Sequence, residues 1–214
     1  MDKFKEFENM VTIQKGVKIK RFRSDNGGEY GSNSFNEMLM EKGIIAEKTM
    51  PYTPELNGVA ERMNRTLLER TLCIMKHANI PKRFWGEALQ TATYLTNRSP
   101  TRSNPDDRTP YEQWNEKKPD LGNIKVFGCL AFMHIPKNKR SKLDEKSIKC
   151  VFMGYVTNGY KLWSQEKNQF FVSRDVTFNE SVRGYQESYV DDDITLGIIS
   201  TDHLNGIEDI DNEE

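Results

Sequence analysis

Residues 51–67 read PYTPELNGVAERMNRTL, and the interpretation of the whole chain starts from this stretch. Two prolines, an asparagine and a glycine predict a loop in its first part. A long helix is then predicted to begin between Pro54 and Gly58. Glu61 would lie in the first turns of that helix, followed directly by basic residues. The stretch therefore predicts a charged helix start that is presented by a loop.

A second carboxylate precedes this helix, at the end of a predicted strand. Residues 17–23 are β-branched and partly alternating, and residues 24–28, SDNGG, form a turn cluster. Asp25 follows the strand, and 35 residues separate it from Glu61. Magnesium prefers carboxylate oxygens, and two-metal phosphoryl transfer needs several that converge on one place. From the residues alone there is an alternative. Asp25 can be an ordinary turn residue, and Glu61 an exposed helix residue paired with Arg65.

Hydrophobic periodicity predicts two further helices in the first half of the chain. Residues 3–14 form an amphipathic pattern that Gly16 ends. Ser34 and Glu37 have the spacing of a capping box, and Gly43 ends the helix that they begin. A short apolar strand, 44–47, follows.

Two predicted helices lie between the first loop and the region of prolines at 100–110. The long helix after Gly58 has an apolar side made of Ala60, Met63, Leu67, Ile74 and Met75. Pro81 suits the first turn of the next helix. The core face of that helix is predicted to consist of Trp85, Ala88, Leu89, Ala92 and Leu95.

From residue 124 onwards the pattern becomes β. The runs 126–135, 149–156, 160–164 and 169–178 are aromatic and β-branched, which predicts a small sheet or barrel of four or five strands. We therefore predict one domain over 1–120 and a small all-β domain over 121–180. Residues 181–214 are interpreted as a disordered acidic tail or linker.

Charge is distributed unevenly along the chain. The net charge is −1, but residues 181–214 carry −9, so the preceding 180 residues carry +8. A basic body with an acidic tail is typical of a nucleic-acid partner, although charged side chains mostly solvate surfaces. No apolar run of 18 residues and no signal-peptide pattern occurs, so we expect no membrane association and an intracellular protein.

Cysteine and histidine positions suggest no metal site. Cys73 and His77 have zinc-ligand spacing on one helix, but no second pair follows at a finger-like distance. The remaining candidates, Cys129, His134 and Cys150, lie among strand residues and fit a core equally well. Because a structural zinc site needs four ligands, zinc is not expected.

Several segments resemble one family of enzymes. Residues 23–30, RSDNGGEY, and residues 51–67 resemble the second and third catalytic segments of copia-type retrotransposon integrases. Residues 161–163, KLW, and 171–180, FVSRDVTFNE, resemble the region after the catalytic core of that family. The resemblance extends from about residue 3 to residue 180, with the segments in the same order.

The resemblance implies a fold, an activity and a set of site residues. The expected fold is α/β, a partial ribonuclease H-like core followed by the small β domain. The expected activity is magnesium-dependent phosphoryl transfer, with Mn²⁺ as a substitute, in which element DNA ends are joined to target DNA. Asp25 and Glu61 match catalytic, metal-binding carboxylates. The residues that match DNA-contacting positions are Asn57, Gly58, Arg62, Asn64 and Arg65.

The same resemblance implies DNA and other integrase chains as partners, and a nuclear location, with the cytoplasm as an alternative. The first catalytic aspartate of the family lies several tens of residues before the second, whereas only 24 residues precede Asp25. We therefore expect the chain alone to lack that aspartate and the first strands, to be inactive, and to be marginally stable in its first half. The alternatives are a non-enzymatic DNA-binding protein derived from such an element, or a decayed remnant.

Overall fold

A computed structural model describes residues 1–24, 30, 32–48 and 58–186 of the 214-residue chain. The fold of this part is mixed α/β. Among these residues, no helix has the length and apolar character needed to cross a membrane. The helices are α1 (Asp2–Lys15), α2 (Asn33–Glu41), α3 (Gly58–Ala78), α4 (Trp85–Asn97) and α5 (Pro110–Asn115). The strands are β1 (Arg21–Ser24), β2 (Ile45–Lys48), β3 (Cys129–His134), β4 (Ser147–Val156), β5 (Gly159–Ser164), β6 (Gln169–Ser173) and β7 (Val176–Arg183).

The N-terminal part is a two-stranded parallel sheet covered by α1 and α2. Strand β1 pairs with β2, starting at Arg21 opposite Ile45. The observed strand β1 is therefore shorter than the strand predicted over 17–23, because pairing with β2 begins only at Arg21. A small aromatic and aliphatic core lies between the sheet and the two helices. Its buried members are Phe35, Met38, Leu39 and Ile44, and Phe4, Ile19 and Phe22 pack against them.

The ends of α2 test the predicted capping signals. The cap is Ser32, whose Oγ accepts a hydrogen bond from the backbone N–H of Phe35 at 3.3 Å. The predicted cap, Ser34, is wrong because the helix already begins at Asn33. The predicted end at Gly43 is confirmed: Gly43 has φ +67°, and the N–H of Ile44 donates to the carbonyl of Leu39 at 2.8 Å.

The second half of the chain forms a five-stranded antiparallel sheet in the order β6-β5-β4-β3-β7. The predicted count of four or five strands is confirmed, and the run over 169–178 is two strands, β6 and β7. A first core lies on one face of this sheet. Its buried residues are Cys129, Ala131, Cys150, Phe152 and Leu162.

The other face of the sheet is covered by α3, α4 and the segment that joins them. Their shared core contains Met75, Ala78, Ile80, Phe84, Ala88, Phe127, Val151, Met153 and Trp163. This core crosses the predicted boundary near residue 120, so that boundary divides one packed unit. Strand β7 ends at Arg183, and the Tyr185 ring lies 6.3 Å from that of Phe84. The packed unit therefore extends beyond residue 181, the predicted start of the tail. The part of that tail over 187–214 lies outside the described residues.

Helix α4 presents a different face to the core from the one predicted. Ala88 and Ala92 are buried as expected, and Leu89 and Leu95 are half-buried. Trp85 is 61% exposed, because Phe84 occupies the core position and Trp85 is turned away from it. The prediction for Trp85 is therefore wrong.

Aromatic stacking and one ion pair fix α4 on the sheet. The rings of Tyr94 and Tyr155 stack with centroids 3.9 Å apart, and the guanidinium of Arg98 lies 3.4 Å from the centre of the Tyr94 ring. At the other end of α4, Nζ of Lys161 lies 3.0 Å from Oε1 of Glu87. These contacts make helix and sheet a single unit.

Tyr155 supplies a pH-dependent contribution to this packing. Its hydroxyl accepts a hydrogen bond from the Lys125 N–H at 2.9 Å and donates to the Lys125 carbonyl at 3.1 Å. Burial raises the pKa of Tyr155 from 10.0 to about 12. The unfolded chain therefore releases the phenolic proton at lower pH than the folded chain. This contribution to stability is full below pH 10 and is lost as pH rises towards 12.

We expect Tyr155→Phe to change the pH dependence of stability. The variant should be less stable at neutral pH by about 1 kcal/mol, because one hydroxyl bond pair is lost. From pH 10 upwards its free energy of unfolding should fall less steeply than that of the wild type. Urea unfolding across this range measures both curves, with the wild type as control for the other tyrosines and lysines. Parallel curves would contradict a role for the Tyr155 proton.

Candidate functional site

Helix α3 is anchored at its C-terminal half and exposed at its N-terminal half. Thr71, Met75 and Ala78 are buried, whereas residues 59–65 are all exposed. Nη1 of Arg70 donates to the Thr96 hydroxyl of α4 at 2.7 Å and ties the helices together near the middle of α3. The first two turns of α3 therefore project from the packed unit.

The exposed turns carry most of the predicted site residues. Glu61, Arg62, Asn64 and Arg65 are exposed, and Gly58, the first residue of the helix, is half-buried. Two further predicted residues, Asp25 and Asn57, lie outside the described residues. The pairing of Asp25 with Glu61 in a metal site therefore stays a prediction.

The predicted apolar side of α3 is covered only in its second half. Met75 is buried, and Leu67 and Ile74 are half-buried. Ala60 and Met63 are exposed, Met63 by 49%, because α4 packs beside the C-terminal turns and does not reach the first turns. The predicted apolar side is therefore buried or half-buried at Leu67, Ile74 and Met75 and exposed to solvent at Ala60 and Met63.

The start of α3 is suited to anionic ligands. The free N–H groups of a helix start carry partial positive charge. Two guanidinium groups, those of Arg62 and Arg65, lie on the exposed turns that follow. Glu61 and Arg65 are one helical turn apart, so a carboxylate and a cation share one side of the helix. This arrangement can hold a phosphate beside a carboxylate.

A second charged cluster lies on the parallel strand pair. Glu47 on β2 accepts from Nη1 of Arg21 at 2.5 Å, and from Nε and Nη2 of Arg23 at 3.2 and 3.0 Å. Hydrogen bonds from Arg21 and Arg23 lower the pKa of the Glu47 carboxyl. This cluster was not predicted from the sequence. A signal was present, because Arg21 and Arg23 are two residues apart and so share one side of a strand.

The Cys and His residues considered as zinc ligands lie in two different environments. Cys73 and His77 are exposed on α3. Cys129 and Cys150 are buried in the sheet core, where burial raises the pKa of each thiol to about 11. Within residues 1–24, 30, 32–48 and 58–186, no three His, Cys, Asp or Glu side chains gather in a metal-binding group.

This chain matches a known family model and several homologous proteins. The model of the retroviral polymerase SH3-like domain matches residues 129–191, which include all five strands of the antiparallel sheet. A solved structure with a similar chain is a simian T-cell lymphotropic virus intasome in complex with PP2A regulatory subunit B56 gamma. The identity is 15% and the TM-score 0.42, over 83% of this chain and 63% of that chain.

Two curated relatives match most of the chain. The Retrovirus-related Pol polyprotein from transposon TNT 1-94 of Nicotiana tabacum is 50% identical over 83% of this chain and 14% of its own length. The Retrovirus-related Pol polyprotein from transposon RE1 of Arabidopsis thaliana is 34% identical over 83% of this chain and 12% of its own length. This chain thus spans a small part of each relative. As the resemblance of its motifs implied, it belongs to the family of retrovirus-related Pol polyproteins of copia-type transposons.

Proposed function

We propose that this chain is part of a retrotransposon integrase that binds element ends and target DNA and joins them by phosphoryl transfer. The observation that carries the proposal is the projecting start of α3, where Glu61, Arg62 and Arg65 are exposed together. Phosphodiester chemistry needs positive charge against the phosphate and a carboxylate beside it. Both are present on these two helical turns.

We assign the metal-binding role to Asp25 and Glu61, with Mg²⁺ as the ion and Mn²⁺ as a substitute. The exposed Glu61 carboxylate has the donor chemistry that this ion prefers. When bound, the ion activates the attacking oxygen and stabilises the leaving one. Its chemistry needs no covalent intermediate on a protein side chain.

The neighbouring residues have the task of holding the DNA backbone. Arg62 and Arg65 neutralise phosphates, and Asn64 donates hydrogen bonds from its amide. Among the described residues, the nearest neighbour of a Cβ placed on Gly58 would be Nη2 of Arg62, 4.0 Å away, so these residues leave the space beside Gly58 open. Asn57 precedes Gly58 in the sequence. Open space at the helix start lets a phosphate approach the backbone N–H groups.

We further propose that DNA and other integrase chains are its partners, and that it acts in the nucleus, with the cytoplasm as the alternative. A second candidate function is DNA binding without catalysis. The observation that favours it is the exposure of Arg62 and Arg65 on α3, because guanidinium groups can bind phosphate without a metal. A decayed remnant would show neither property.

The purified chain should bind duplex DNA but should not join DNA ends. In a fluorescence-anisotropy titration we expect the affinity to fall by at least about tenfold between about 50 and 200 mM salt, because several phosphates are neutralised. In a strand-transfer assay with Mg²⁺ we expect no product, since three converging carboxylates are needed and two are matched here. Product that is lost in Glu61→Gln would refute inactivity and establish the catalytic role. Absence of DNA binding would refute the proposed function.

A further inference from the structure

We propose that Arg21 and Arg23, held in place by Glu47, form a second site for DNA backbone phosphates on the parallel strand pair. The inference rests on the proposed function, because it names where on this chain additional DNA contacts are made. The ligand is the phosphodiester group, which two guanidinium groups recognise through charge and hydrogen bonds.

The two arginines are fixed by strand register. Strands β1 and β2 are parallel, and Arg23 lies opposite Glu47. The Glu47 carboxylate uses one oxygen for Arg21 at 2.5 Å and the other for Arg23 at 3.0 Å. Because both guanidinium groups meet one carboxylate, they are held close together on one side of the sheet. The arginine side chains are therefore already ordered, so they lose less conformational entropy when a ligand binds.

The cluster keeps positive charge and free hydrogen-bond donors. Two guanidinium groups and one carboxylate sum to one positive charge. The side chains of Arg21 and Arg23 are 67% and 59% exposed, while that of Glu47 is 25% exposed. Each guanidinium has five N–H donors, and among the described residues three of these ten donate to Glu47. The guanidinium groups are thus more exposed to solvent than the carboxylate, which favours an anion as the ligand.

The opposite side of β1 is already occupied. The Phe22 ring lies 5.1 Å from that of Phe4 and 5.3 Å from that of Phe35. Ser24 is buried, with 8% of its surface exposed. Side chains alternate along a strand, so the side that carries Arg21 and Arg23 is the one open to a partner. In the sequence, Arg23 precedes the proposed metal-binding residue Asp25 by two positions.

A purely structural role would be a cross-strand clamp that stabilises the sheet. Exposed ion pairs contribute little to stability, so a clamp would have a modest effect on folding. It would also need no second arginine, because one guanidinium already binds a carboxylate with two hydrogen bonds. The two roles differ in what they predict for DNA binding by folded protein.

The test compares three variants of the full chain by anisotropy with a short labelled DNA duplex across a range of salt. Arg21→Gln/Arg23→Gln removes both cations. Glu47→Gln leaves both cations but removes the carboxylate that holds them. Lys117→Gln/Lys118→Gln is a control with the same change in charge at two exposed residues after α5. Far-UV circular dichroism and urea unfolding report whether each variant is folded.

We expect the double arginine variant to bind DNA about tenfold more weakly, and its salt slope to fall by about two, since each phosphate contact contributes about 0.9. Glu47→Gln and the lysine control should keep the wild-type slope.

If all folded variants bind like the wild type, the site is overturned while the proposed function stands. If the lysine control loses as much affinity as the arginine variant, net charge alone explains binding and the site is overturned. A wild type that binds no DNA overturns both. If the double glutamine variant is unfolded, Arg21→Lys/Arg23→Lys is measured in its place. Unchanged DNA binding by the lysine variant overturns recognition of phosphate through the guanidinium hydrogen bonds.

Discussion

Gly128→Ala is expected to lower the free energy of unfolding by about 3 kcal/mol or more, the largest effect of any single substitution considered. A Cβ at this position would lie 2.3 Å from the Cβ of Ala78, where α3 ends against the sheet. Overpacking of a core costs about 1 to 3 kcal/mol. Gly128 also has φ +77°, and a left-handed conformation costs an L-residue about another 1 to 2 kcal/mol. Urea unfolding followed by circular dichroism measures the loss.

Gly16→Ala is the matched control. Gly16 has φ +65°, close to the value at Gly128, but a Cβ there would meet nothing within 4 Å. Its expected cost is therefore the backbone cost alone, about 1 kcal/mol. The difference between the two variants isolates the contact with Ala78. Equal losses would mean that α3 does not pack against residue 128 as closely as the structure has it.

Local signals in the sequence predicted local structure well. Gly16 and Gly43 end their helices in the left-handed conformation, as their positions after amphipathic patterns indicated. The β-branched runs after residue 124 became the strands of one sheet. These features depend on a few neighbouring residues, so a single sequence contains the information. The Ser32 cap was missed because Ser32 and Ser34 compete for the same role within two positions.

Features that depend on distant contacts were not predicted. Trp85 was placed in the core by its helical spacing, but Phe84, one residue earlier, packs 5.1 Å from Trp163 and excludes it. The shared core of helices and sheet joins residues such as Ala88 and Met153, which no periodicity connects. Likewise, the meeting of Arg21 with Glu47 requires the register of two strands that are far apart in sequence.

The motifs around Glu61 were recognised by resemblance to a family, and not from local signals or distant contacts. Resemblance identified the family, and the relatives confirm it. The structure adds that the matched helix start is exposed, because the covering core reaches only the C-terminal turns of α3. Exposure of charged residues at one end of an anchored helix is what a binding site needs and what core packing does not require. We therefore expect substitutions of these residues to change DNA binding more than stability.

Arg62→Gln/Arg65→Gln is expected to weaken duplex DNA binding by about thirtyfold and to reduce the salt slope by about two. The effect should exceed that at Arg21 and Arg23, because no hydrogen bond from Arg62 or Arg65 to a carboxylate occurs among the described residues. Stability should change by less than about 0.5 kcal/mol, since both side chains are exposed.

Anisotropy titrations at several salt concentrations measure the slope, with Lys117→Gln/Lys118→Gln as the control of equal charge. Glu61→Gln is the informative partner variant. It removes the negative charge one turn from Arg65, so without Mg²⁺ its DNA affinity should equal or exceed that of the wild type. If both arginines can be replaced while affinity and slope stay unchanged, α3 does not contact DNA. If Glu61→Gln alone abolishes binding without Mg²⁺, the carboxylate orders the helix start, and its assignment as a metal ligand loses its basis.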